Sequence, residues 1–148
     1  MPVAHFHLVD GAYTAEQHRE LLTAASRCYS EVLDSPMDRV RAFIVRYRPD
    51  DVAVAGTTVT DGAPAAPYFT AIVLAGRPAS QRQELAARFT DLIVDILGAQ
   101  RALVRGQIIE VDPANWAIAG TAAATTRAGE IAARARPCPE LHHTYVWA

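Results

Sequence analysis

Long apolar runs are absent from this sequence. None reaches the roughly 20 residues that a membrane-spanning helix needs, so no membrane partner is expected. The first residues also lack the positive start and apolar stretch of a secretory signal. Cysteine is scarce. Cys28 and Cys138 lie far apart, in no metal-ligand spacing, and read as free thiols of a reducing compartment. Together these features predict a cytoplasmic protein. Charge of one sign is concentrated nowhere: acidic and basic residues are interspersed and the formal net charge is −2. Neither a nucleic-acid surface nor an acidic tail is expected. Aromatic residues make up only 7% of a chain that is 51% hydrophobic, and alanine supplies much of the difference. The core should therefore be tight and helix-friendly. A length of 148 residues fits a single domain with a real core. What is left as a partner is a small molecule or another copy of the chain.

The patterning is informative. Residues 3–9 form a short β-branched and aromatic run that ends at the turn pair Asp10-Gly11. Thr14 with Gln17 reads as a capping box. Leu21, Leu22, Ala25, Cys28, Tyr29, Val32 and Leu33 then recur at helical spacing, and the helix should stop near Leu33-Asp34. Residues 39–47 alternate as a second strand, with Arg39, Arg41, Phe43, Val45 and Tyr47 on one face. Residues 52–55 are a short extension or hairpin partner, and residues 56–66 a small-residue loop. The plan then repeats. Residues 68–75 form a strand apolar enough for cover on both faces. Gly76-Arg77-Pro78 breaks it, and Ser80 with Gln83 offers a second capping box. Leu85, Ala86, Phe89, Leu92, Ile93 and Ile96 carry a helical stripe that Gly98 closes. Residues 102–111 form a last main strand. Beyond Asp112-Pro113-Ala114-Asn115-Trp116, a turn, residues 117–127 suit a short strand or hairpin and 128–135 one or two helical turns. The tail 136–148 holds two prolines and should lie across a neighbouring surface.

The fold class that follows is α/β (α+β): two fused β-α-β units, about 2–55 and 67–120. They would share one mixed four-stranded sheet with two helices on one face. The other face would need cover from another subunit.

A proline at position 2 heading a strand, joined to this duplicated plan, resembles the tautomerase superfamily. Gly76-Arg77-Pro78 and the stretch Glu110 to Trp116 add to the likeness. A chain of this length resembles the cis-3-chloroacrylic acid dehalogenase and malonate semialdehyde decarboxylase groups. Met37-Asp38-Arg39 followed by Arg48-Pro49 looks like the latter. The resemblance implies a homotrimer or larger assembly, no cofactor, an amino-terminal proline exposed by methionine removal, an arginine at Arg77 for a substrate carboxylate, and an assisting Asp38. It also marks departures. The dehalogenase histidine on the first helix falls at Tyr29 or Cys28. Its second arginine falls at Leu74 and that of the decarboxylases at Ala79. The dehalogenase tyrosine falls at Gln107 and its water-activating glutamate near Ile118.

The residue chemistry runs alongside. An α-amino group ordinarily titrates near about 8, and apolar burial or neighbouring cations lower that value. A neutral Pro2 amine could act as a base on an enol, a protonated one as an acid, and a nucleophilic one could form an iminium. Retention of Met1 would leave Pro2 an amide nitrogen with no basic lone pair. The Arg77 guanidinium offers a planar fork for a carboxylate. Asp38 could orient the proline or serve only as a turn residue. Arg39 and Arg41 could supply a second cation or remain solvated. Arg105 and Gln107 share one strand face that reaches either the site or an interface. Tyr29 and Trp116 could wall the site or pack in the core. His5 and His7 share a face without a third ligand, so no metal is expected, and His142 and His143 should be solvated. The leading reading is a keto–enol tautomerase, an isomerase, acting on a small 2-oxo or enol carboxylic acid. A decarboxylase or hydratase of a 3-oxo acid and a non-catalytic trimeric binding protein are the alternatives.

Overall fold

The computed structural model describes residues 2–135. Met1, Cys138, His142, His143 and the tail 136–148 therefore lie outside the described residues. The first unit runs β1 (Val3–Val9), α1 (Ala15–Leu33) and β2 (Arg41–Tyr47). A small hairpin follows, β3 (Ala53–Val54) against β4 (Thr57–Thr58). The second unit runs β5 (Tyr68–Leu74), α2 (Ala79–Leu97) and β6 (Arg105–Val111). A second hairpin, β7 (Ala117–Ile118) with β8 (Thr121–Ala122), leads to the short helices α3 (Ala123–Thr126) and α4 (Ala128–Ala135).

The four long strands form one mixed sheet in the order β2-β1-β5-β6. Each β-α-β unit pairs its strands in parallel, and the units join through antiparallel β1 and β5. The period-two pattern decides which face is covered. Ala4, Phe6 and Leu8 of β1 and Phe69, Ala71 and Val73 of β5 are buried, each alternating with more exposed residues. They meet Leu21, Ala25 and Tyr29 of α1 and Leu85, Phe89 and Ile93 of α2. Val3, His5, His7, Tyr68, Thr70 and Ile72 look out from the opposite face, which no helix covers among the described residues. The double-sided cover expected of residues 68–75 is thus not supplied by the described residues.

Local signals set the helix ends. Thr14 Oγ1 accepts from the Gln17 amide at 3.1 Å while Gln17 Oε1 accepts from the Thr14 amide at 2.9 Å. Asp34 closes α1 in the left-handed region at φ 48°, a conformation Asp tolerates better than most residues. Gly98 closes α2 in the same way at φ 67°. The proposed box at Ser80 and Gln83 does not form. Pro78 is the N-cap and Ser80 already sits inside α2, so no side chain caps that end. Two strands also begin later than the expected 39 and 102. Met37–Arg39 and Arg101–Leu103 each close a 3-10 turn, with the Val40 amide donating to Met37 O at 3.1 Å and the Val104 amide to Arg101 O at 3.1 Å.

Gly106 faces the core directly opposite Phe69. A Cβ there would stand 2.1–2.6 Å from three carbons of the Phe69 ring. That ring is itself held edge-on to Phe89, 5.6 Å away. Gly106→Ala should therefore cost roughly 1–3 kcal/mol through overpacking. Thermal unfolding checks this: a clear fall in Tm is expected, recovered in part by Phe69→Leu. An unchanged Tm would mean the ring yields freely.

Candidate active site

The strand register decides the first contact. Val3 lies opposite Ile72 in the antiparallel pair, so the start of β1 sits beside the end of β5. Pro2 and the turn after Leu74 become neighbours although they are far apart in sequence. Pro2 is buried, and its carbonyl accepts from the Arg41 amide at 2.9 Å. Gly76 makes the turn with φ 109°, a backbone angle that side chains rarely tolerate. Arg77 follows it into the space beside Pro2.

Arg77 is held, not merely present. Its Nη1 donates to Leu33 O at 2.9 Å and to Gln81 Oε1 at 3.1 Å, while Gln81 Nε2 donates to Val32 O at 2.8 Å. These carbonyls belong to the last turn of α1. Such groups lack intrahelical partners and carry the negative end of the helix dipole. The α1 terminus thus orients the guanidinium, whose other N–H groups make no hydrogen bond among the described residues. Burial first, and then the Arg134 charge, push the Arg77 pKa down to about 10. It remains a cation at neutral pH.

A small cavity of about 20 Å3 lies beside this pair. Leu33, Val73 and Leu74 give it apolar walls, and Arg39, Arg127, Glu130 and Arg134 complete the lining with Ser35. A wider outer cleft adjoins it and adds Asp34, Pro78, Gln81 and Ala133. Arg39 grips Glu130 through two parallel bonds of 2.9 Å each. That contact raises the Arg39 pKa and lowers the Glu130 pKa, its hydrogen bond being the largest cause in both. Four guanidiniums therefore share the cavity with one carboxylate.

The sequence-marked residues divide accordingly. Pro2, Arg77 and Arg39 line the cavity. Tyr29 is fully buried in the core behind it. Its hydroxyl donates to Ile72 O and, at 3.3 Å, to Val3 O, and its ring meets Phe89 edge-on at 5.3 Å. It clamps β1 to β5 next to Pro2, and burial holds the phenol well above its ordinary pKa. Asp38 is exposed in the turn before β2, where its carbonyl, not its carboxylate, accepts from Arg41 Nη1 at 2.8 Å. Gln107 is exposed on the open sheet face, within 3.4 Å of the Tyr68 hydroxyl. Trp116 is half-buried in the turn before β7, its carbonyl accepting from the Ala123 amide at 2.7 Å. Asp38, Gln107 and Trp116 do not line the cavity. Among the described residues no group of three His, Cys, Asp or Glu side chains could hold a metal ion, and no helix is long and apolar enough to cross a membrane.

Arg127, Glu130, Arg134 and the positioning residue Gln81 are absent from the sequence-derived set. A faint signal existed: positions 127, 130 and 134 fall on one face of a helix.

The Tautomerase enzyme family matches residues 2–62 and 67–125, one stretch for each β-α-β unit. The chain belongs to this family. No curated protein matches it. Among solved structures, native fused 4-OT superposes with a TM-score of 0.78 at 22% identity, over 83% of this chain and 97% of its own. A wild-type fused 4-OT that forms a symmetric trimer gives 0.75 at 23% identity, over 84% of this chain and 98% of that one. A member of the cis-3-chloroacrylic acid dehalogenase family gives 0.72 at 17% identity, over 81% and 82%. These tautomerase neighbours share the fold, and the family match ends at residue 125, before Arg127, Glu130 and Arg134.

Proposed function

We propose that the chain is a cofactor-independent tautomerase in which the Pro2 amine, freed by loss of Met1, moves a proton on a small 2-oxo or enol carboxylic acid. The observation that carries this reading is the shared cavity of Pro2 and Arg77. Apolar walls and neighbouring cations both disfavour a protonated amine, so Pro2 is poised as a base. In ketonisation it accepts the enol hydroxyl proton. The O–H electrons form the new C=O, the C=C electrons turn to the adjacent carbon, and the prolinium returns the proton there. Arg77 binds the carboxylate and steadies the charge that builds on oxygen.

Asp38, on which the decarboxylase reading leaned, is exposed and outside the cavity, so proton transfer is the better supported chemistry. The working form is proposed to be a homotrimer. Fused 4-OT neighbours are trimers. The open sheet face here presents Phe43, which is 48% exposed and stacked on His5 at 5.3 Å, together with Ile72 and Ile109. The test is ketonisation of phenylenolpyruvate by native protein whose intact mass shows loss of Met1. Acceleration over the buffer rate is expected. A protein that has lost Met1 yet leaves that rate unchanged would overturn the reading.

A further inference from the structure

Tyr29 is fully buried, and its one hydroxyl proton is shared between the Ile72 and Val3 carbonyls. Those acceptors lie on the two strands that carry the site. Val3 is the residue after Pro2, and it stands opposite Ile72 in the antiparallel pair. Ile72 leads through Leu74 and the Gly76 turn to Arg77. The end of α1 also supplies the carbonyls of Val32 and Leu33, which hold Gln81 and Arg77. One segment of α1 thus touches both strands of the site and its guanidinium.

The internal repeat separates this contact from ordinary packing. Helices α1 (Ala15–Leu33) and α2 (Ala79–Leu97) are each 19 residues long, so Tyr29 matches Ile93, counted from either end. Both are fully buried. Other contacts of the first unit recur in the second. Gln17 Nε2 donates to Ile96 O at 3.1 Å, as Gln81 Nε2 does to Val32 O at 2.8 Å. The Arg105 amide donates to Pro67 O at 3.2 Å, as the Arg41 amide does to Pro2 O at 2.9 Å. The second family stretch begins at Pro67 as the first begins at Pro2, but Pro67 lies inside the chain and carries no amine. The second unit therefore closes the same helix-on-strand junction with an aliphatic side chain. A hydroxyl must be desolvated there and bonded again, which isoleucine avoids. The phenol stands in the unit whose proline can bear an amine.

A chain terminus frays unless it is tied down, and a base displaced by about 1 Å can lose roughly 10²-fold in rate. We propose that Tyr29 is a positioning residue, whose hydroxyl sets the Pro2 nitrogen against Arg77 by pinning the Val3 and Ile72 carbonyls to the end of α1. This rests on the reading of Pro2 as the base and Arg77 as the carboxylate holder. Tyr29 does not line the cavity, and it acts through the two strands.

The test is Tyr29→Phe, which removes the hydroxyl and keeps the ring that meets Phe89 edge-on. In protein that has lost Met1, kcat for phenylenolpyruvate should fall by roughly 10–100-fold. KM should change by less than about twofold, because Arg77 keeps its bonds to Leu33 and Gln81. A loosened terminus is more hydrated, so the titration midpoint of the Pro2 15N resonance should rise toward the ordinary α-amino value. Ile93→Val, a truncation at the matching position of α2, should lower Tm while kcat and the Pro2 midpoint stay native. An unmoved Pro2 midpoint in Tyr29→Phe, a native kcat in that variant, or an equal loss of kcat in Ile93→Val would overturn the proposal. The midpoint is read whether or not the protein turns over. Failure of the proton-transfer reading is therefore distinguishable from failure of the clamp.

Discussion

Pro2→Ala should lower kcat for ketonisation by roughly 10²–10⁴-fold, the usual worth of a positioned general base. The pyrrolidine ring holds the nitrogen in a fixed orientation on Cα, one residue before β1 begins at Val3. Alanine leaves a primary amine on a terminus no longer locked by the ring. The substrate contacts remain, since Arg77 is anchored to α1 independently of Pro2. KM should accordingly change much less than kcat, and substrate affinity should survive. A variant of native turnover would remove Pro2 from the chemistry. One that lost only affinity would make it a wall of the pocket.

Removal of Arg77 should be the next largest change, acting on both constants. A carboxylate left without its buried cation loses about 2–5 kcal/mol of interaction, so kcat/KM for Arg77→Ala should fall by at least roughly 30-fold. Arg77→Lys should recover only part of this, because an ammonium cannot offer the planar fork. Two pH effects separate this from simple damage. The Arg77 cation, with its pKa pushed down to about 10, is lost as pH rises through that value, so kcat/KM of the native enzyme should decline there. The acidic limb, which reports Pro2, should move upward in Arg77→Ala. Taking away a nearby positive charge makes the prolinium easier to form. An unshifted acidic limb with intact fold would mean that Arg77 and Pro2 do not sense one another.

How much of this was legible in the sequence depended on range. The Thr14 and Gln17 box, the left-handed stop at Gly98 and the strand runs at residues 3–9 and 68–75 are short-range features, and each formed within a residue of where it was read. The late starts of β2 and β6 show the limit. Val40 and Val104 lie in runs that read as strand, but each donates its amide hydrogen bond to the carbonyl three residues back, which turns the chain before the strand begins. The continuous apolarity of β5 was also real, yet it reflects one face packed on helices and another that the described residues leave open.

The site divided along the same line. Pro2 and Arg77 were visible because each sits at a strand end, and the strand order brings those ends together. Tyr29 was ambiguous because a phenol at a helix stripe position suits a pocket wall and a core clamp equally. Its bonds to the Val3 and Ile72 carbonyls put it in the core. The wall of Arg127, Glu130 and Arg134 showed in the sequence only as a helical spacing, and its place beside Pro2 did not. Its one strong anchor joins Arg39 to Glu130 across 91 residues of sequence, and no local pattern encodes that pairing.

The central claim is that Pro2 carries a free amine held neutral by its surroundings. It is tested most directly by titrating the 15N resonance of the Pro2 nitrogen in the native protein. The account predicts one titration with a midpoint below the ordinary α-amino value of about 8, coinciding with the acidic limb of kcat/KM. A nitrogen that does not titrate, or one that titrates above that value, would contradict it.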